Sequence, residues 1–201
     1  MDQIRKIKGI VSGSVVVPTH KINLTDAIEA QRVHRENGDK VIKSARAYEE
    51  IIAEEIAKFF TWGGKPDLKD LLKALIIESS HLGFMGKIQA YRGITRAIPK
   101  IDPALRKEVI GRLLDIMNLR NAHTHGTLST QGNEVYLKYY RNGMKEELLD
   151  DRYWEKAEEA ILGLTPLIVN LNYLVREYLM GTDRSESDGE ENDTKNPAAV
   201  E

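Results

Sequence analysis

Between Arg120 and His125 the chain places one arginine, one asparagine and two of its five histidines, in the run Arg120-Asn121-Ala122-His123-Thr124-His125. An imidazole takes and gives protons near neutral pH. A guanidinium holds a phosphate through paired hydrogen bonds and offsets the negative charge that grows on it. Held together, the two groups can break a phosphodiester without a metal ion. The natural nucleophile is a ribose 2'-hydroxyl, which RNA supplies and DNA lacks. The product would carry a 2',3'-cyclic phosphate.

These residues close the best-punctuated helix of the sequence, in which Asp102 is the expected N-cap, Pro103 the first helical position and Gly126 the stop. With Leu105 set at zero and about 100° per residue, Val109, Ile110, Leu113, Leu114, Ile116 and Met117 fall within an arc from roughly 20° to 180°. That is a core-facing stripe. Arg120 lands on it near 60°, where one more leucine would be expected, while Asn121 lies at about 160°, His125 at about 200° and His123 at about 0°. A lone charge in that position is costly to bury, so Arg120 must close an internal salt bridge or face a cleft or subunit boundary.

The elements that would position the motif are mainly helical. Leu24 to Phe60 reads as a long first helix, with Thr25 as N-cap, Glu29 near the capping-box position and the Glu36-Asn37-Gly38-Asp39 run as a point of interruption. Trp62-Gly63-Gly64 ends it. A second helix starts at Asp67, with Leu68, Leu71, Leu72, Leu75 and Ile76 at helical spacing, and Gly83 and Gly86 mark a break or close packing before a third that stops ahead of Pro99. From 134 to 149 the period changes to two, with Val135, Leu137 and Tyr139 alternating against polar residues and Asn142-Gly143 as the turn of a β-hairpin. A last helix from Asp151 should be kinked at Pro166 and capped at Gly181. The expected architecture is an antiparallel bundle of about four to five helices over 21–181, with the hairpin before the last helix. A short β-rich segment at 1–20 precedes it, and an acidic tail at 182–201, with too little apolar content to order, follows.

Composition narrows the function classes. With 201 residues, 41% hydrophobic and 30% charged, the chain can bury one ordinary core. It contains no cysteine, which removes disulfides and thiolate metal sites and favours a cytoplasmic setting. The basic and apolar start, Ile4 to Val17, imitates a signal peptide but is interrupted by Ser and Gly and followed by Pro18, so strand is the better reading. No window has the roughly 18 unbroken apolar residues of a membrane span. His123 and His125 lack the HExxH pattern or clustered carboxylates of a zinc site, and neither a P-loop nor a GxGxxG fingerprint is present, so no cofactor is expected. His20, His34 and His81 are scattered and receive no role. The last twenty residues hold seven acids and two bases, which leaves the rest of the chain net positive. Seven bases, Lys87, Arg92, Arg96, Lys100, Arg106, Lys107 and Arg112, precede the motif against two acids, Asp102 and Glu108. Such a band is either a solvated helix face or, through Arg92, Arg96, Arg106, Lys107 and Arg112, a surface that steers RNA toward the motif.

The segment Leu119 to Gly126 resembles the motif of the HEPN domain superfamily, in which an Arg, often followed by Asn, Asp or His, stands four to six residues before a His at the end of a bundle helix. Arg120, Asn121 and His125 fit it with four residues between Arg and His. The stretch from His81 to Ile94 is similar to the segment that precedes the motif helix in several branches. The resemblance implies a metal-independent endoribonuclease of toxin–antitoxin, abortive-infection or CRISPR systems, acting as a homodimer in which two motifs meet. Arg120 would then bind the scissile phosphate, His125 would be general base or acid, and Asn121 would orient them, with His123 in support. The superfamily also contains copies that bind a protein partner or a nucleotide and do not cut. An antitoxin or the nucleotidyltransferase often paired with such toxins would be a separate chain, since Ser12 to Asp26 lacks the Gly-Ser and spaced aspartates that such an enzyme needs.

Overall fold

A computed structural model describes residues 24–64, 66–77, 82–132 and 134–187, and the β-rich segment expected at 1–20 lies outside them. Within the described residues the chain is mainly helical, with five α-helices and one small antiparallel sheet. Helix α1 spans Leu24–Phe60, α2 spans Pro66–Leu72 and runs into a single π turn at Lys73–Ile77, α3 spans Phe84–Ala97, and α4 spans Pro103–His125. Strands β1 (Thr127–Gln131), β2 (Glu134–Tyr140) and β3 (Met144–Leu148) follow, and α5 (Asp151–Ser187) closes the described chain.

Helix α4 is the axis of the fold and packs against α1, α3 and α5. Its stripe behaves as the wheel predicts: Val109, Ile110, Leu113, Ile116 and Met117 are buried, and Leu105 and Leu114 pack half-buried beside them. The start of α4 also follows the sequence, since Asp102 accepts a hydrogen bond from the Ala104 amide at 2.9 Å and Pro103 occupies the first turn. The core is completed by Ile52 and Ile56 of α1, Ile88 and Tyr91 of α3, and Leu164, Ile168 and Leu171 of α5. Helices α1 and α5 run in the same direction. His34 meets Trp154, Tyr48 donates to the Ile161 carbonyl at 2.6 Å, and Glu55 pairs with Arg176, in that order along both helices.

Three local expectations need correction, and the expected hairpin is present with one further strand beside it. Helix α1 does not break at Gly38, because that glycine is buried under the His123 ring and serves close approach, not chain reversal. Thr25 stands inside the first turn, and Glu29 pairs with Arg32. Helix α5, with Pro166 inside it, continues through Gly181 to Ser187, and Gly181 lacks the positive φ that a helix-stopping glycine uses. The predicted hairpin is the outer half of a three-stranded meander ordered β1-β2-β3. Its expected turn is present, with Asn142 at φ 52° and Gly143 at φ 120° linking β2 to β3.

The sheet closes the end of the bundle at which α4 finishes. Strand β2 packs on α4, and β1 and β2 both reach α1. Val135 and Leu137 of β2 turn inward, and with Ala122 and Leu149 they form a second, smaller core bordered by Leu128, Tyr139, Tyr153 and Trp154. Gly126 makes the junction possible. A side chain there would stand 2.3 Å from the Ala122 carbonyl oxygen and 2.7 Å from Leu137 Cδ1.

Candidate functional site

The last turns of α4 distribute the motif over three environments. Arg120 is half-buried on the continuation of the Leu113 and Ile116 stripe, and among the described residues its guanidinium makes no hydrogen bond or ion pair. Asn121 is half-buried, and His125 is exposed at the helix terminus, neither with a side-chain hydrogen bond among those residues. His125 follows Arg120 by five positions, about 140° around a helix, so within one chain they occupy different faces, whereas Asn121 and His125 share an edge.

His123 points elsewhere. Its ring is stacked on Trp154 at 5.5 Å between centroids, meets Tyr153 edge-on, and shares a 2.8 Å hydrogen bond between Nε2 and the Tyr153 hydroxyl. Trp154 donates its indole N–H to His34 Nδ1 at 3.0 Å, and the two rings lie within 16° of parallel. His34, Trp154, Tyr153 and His123 thus tie α1, α5 and the end of α4 together directly behind the motif. Burial lowers the basicity of both imidazoles, against an opposing pull from Asp151 on His34 and from Glu147 and Asp39 on His123. Both rings therefore favour the neutral form.

Beside this cluster, between α1 and the sheet, lies a cleft of about 240 Å³ walled by His34, Arg35, Asp39, His123, Gly126 and Thr127. A larger groove of about 380 Å³ runs between α1 and α5 past Trp154, but Lys40 and Glu158 are its only ionisable lining groups. Of these two, the smaller holds more ionisable side chains. Sequence reading gave His34 and Trp154 no role, and one hundred and twenty residues separate them. The faint signal available was Gly38, whose missing side chain leaves room for the His123 ring; a Cβ there would stand 2.7 Å from His123 Nδ1.

The basic band resolves into several roles. Lys87 is buried and bonded to Glu49 at 2.7 Å, so it serves the body of the bundle. Arg106 donates to the Thr95 carbonyl at 3.3 Å, and Arg112 pairs with Glu108. Arg92, Arg96 and Lys107 are exposed, and no hydrogen bond or ion pair engages their side chains among the described residues. Those three remain available to a polyanion. Among the described residues no three His, Asp or Glu side chains gather as a metal site, and no helix is long and apolar enough to cross a membrane. Compared with protein-family models, with curated proteins and with solved structures, the chain matches none.

Proposed function

We propose that this chain is a metal-independent endoribonuclease of the HEPN type that cuts RNA by attack of a ribose 2'-hydroxyl, with Arg120, Asn121 and His125 at the reaction centre. One observation carries the reading: Arg120 stands on the apolar stripe of α4, half-buried, with no internal partner among the described residues. A guanidinium kept in that state suits an anion arriving from outside, and a phosphate matches its forked donors. His125 takes the proton of the 2'-hydroxyl, the 2'-oxygen attacks phosphorus, and the 5'-oxygen leaves with a proton from a second acid. Arg120 offsets charge on the non-bridging oxygens, and Asn121, on the edge it shares with His125, would orient that ring once RNA is bound.

Because Arg120 and His125 diverge around one helix, a homodimer with facing motifs supplies both the base and the acid. Arg92, Arg96 and Lys107 would add salt-dependent attraction for the RNA backbone. A cytoplasmic toxin or phage-defence role, with any antitoxin or nucleotidyltransferase as a separate chain, follows from the same resemblance. A second reading, a non-catalytic module of this type that binds a protein or nucleotide, is favoured by one feature: no hydrogen bond orients the His125 ring among the described residues.

The deciding experiment is RNA cleavage in excess EDTA by the wild type, Arg120→Ala and His125→Ala. The nuclease reading expects cutting that persists in chelator, leaves cyclic phosphate ends, and falls by about 100-fold or more in each variant. Absence of cutting, or cutting unchanged in either variant, supports the binding module.

A further inference from the structure

The cleft between α1 and the sheet holds polar groups that the cleavage chemistry does not use. Arg35 and Asp39 stand one turn apart on α1 and both line it. Elsewhere on this helix such neighbours close on one another: Arg32 bonds both Glu29 and Glu36, and Lys40 bonds Asn37 at 3.0 Å. Arg35 and Asp39 pair neither with each other nor with another side chain among the described residues. A fork of donors therefore lies next to a pair of acceptors, both uncommitted.

A further donor comes from His34. An indole N–H can only donate, so the His34 Nδ1 that receives it carries no proton, and in the neutral ring the proton sits on Nε2. The cleft, at about 240 Å³, is smaller than the roughly 300–1,000 Å³ of sites for drug-sized ligands and suits a single ring system. Its walls include His123 and Gly126, which flank His125 in sequence. The cleft is thus bounded by the last turn of α4, the turn that also carries the proposed general base.

We propose that this cleft takes one base of the RNA beside the cut and selects guanine. Guanine presents two acceptors, N7 and O6, next to two donors, N1–H and the exocyclic amine, so Arg35 binds the first pair and Asp39 the second. Cytosine offers a carboxylate only its single amine, and adenine and uracil alternate donors with acceptors along the same edge. The assignment rests on the nuclease reading for the base being part of RNA, but the cleft can be tested without cleavage.

The test is equilibrium binding of guanosine, cytidine, adenosine and uridine to the full chain, followed by calorimetry or NMR, for wild type, Asp39→Asn, Arg35→Gln and His125→Ala. Guanosine should bind about tenfold or more tightly than the others, Asp39→Asn should abolish that preference, Arg35→Gln should weaken guanosine, and His125→Ala should change nothing. Asp39 and Arg35 are exposed, and circular dichroism checks that the variants keep their helices. Equal binding of all four nucleosides, no binding at millimolar concentration, or a preference that survives Asp39→Asn overturns the assignment. Selective guanosine binding by a chain that cuts no RNA would remove the nuclease reading alone. Cutting without base preference, by a chain that ignores guanosine, would remove this one alone.

Discussion

The body of the bundle and the end that carries the motif are held together by different means. In the body, α4 is sheathed by α1, α3 and α5, and side chains such as Ile52, Ile88, Leu113 and Leu171 are removed from water almost completely. Its buried charges are matched, as with Lys87 on Glu49 and Glu55 on Arg176. At the motif end the apolar core shrinks to Ala122, Val135, Leu137 and Leu149, and cohesion passes to the ring cluster of His34, Trp154, Tyr153 and His123. Arg120, Asn121 and His125 sit there without side-chain partners among the described residues. Apolar packing is indifferent to direction and can bear the load of stability. A site must instead present polar groups at fixed angles, which stacked rings and directional hydrogen bonds can do.

The largest effect should come from opening the body. Leu113 is fully buried, and Leu113→Ala removes a side chain at the point where α4 meets its neighbours. A loss of about 2–5 kcal/mol is expected, read as a lower denaturation midpoint at unchanged slope. Guanosine affinity of the protein that remains folded should be unaltered. A cleft that fails in step with the body would show that the two regions are one cooperative structure.

A smaller global effect and a larger local one are expected from Gly126→Ala. The added carbon meets the Ala122 carbonyl oxygen, Leu137 Cδ1 and the Lys138 carbonyl oxygen at 2.3, 2.7 and 3.0 Å, two of them backbone atoms with little freedom to yield. The strain is expected to cost about 1–3 kcal/mol, and to push β2 off the end of α4. Hydrogen exchange should rise in β1 and β2 while α3 stays protected. Uniform loosening would contradict the division drawn between the two ends.

The same division marks what could be read from sequence. Helix α4 was legible because its signals are local: Asp102, Pro103 and Gly126 punctuate it, and the positions of Leu113, Ile116 and Arg120 on its wheel follow from spacing alone. Strand β1 was missed because Thr127 to Gln131 is short and polar and gains its order from pairing with β2, Leu128 opposite Leu137. Gly38 reads as a breaker until the ring it accommodates is placed against it. His34 and Trp154 carry no local signal, since only the parallel course of α1 and α5 brings them together. Arg35 and Asp39 are two ordinary surface charges until the cleft between α1 and the sheet is seen.

The gentlest probe of the comparison is acid. His34 and His123 are held below the ordinary histidine value of 6.5, by burial first and with nearby carboxylates pulling the other way. An unfolded chain therefore takes up protons near pH 6.5 that the folded chain refuses, so their contribution is complete above that pH and declines as pH falls through it. Protonating His34 also places a proton on Nδ1, opposite the Trp154 indole N–H, and two donors then face each other. In the body the matching event comes later. Glu54 is lowered from 4.5 to about 2, chiefly by its hydrogen bond from Lys69 and also by Lys73 and Lys58, so its contribution holds above pH 4.5 and is lost as pH falls toward 2. Between about pH 6.5 and 4.5 the motif end should loosen while the body stays intact. Tryptophan fluorescence and exchange of the β1 and β2 amides should change in that window with α3 and α4 still protected, and His34→Gln should shrink the change. If the first acid transition instead appears below pH 4.5 at both ends together, the ring cluster is not what holds the motif end in place.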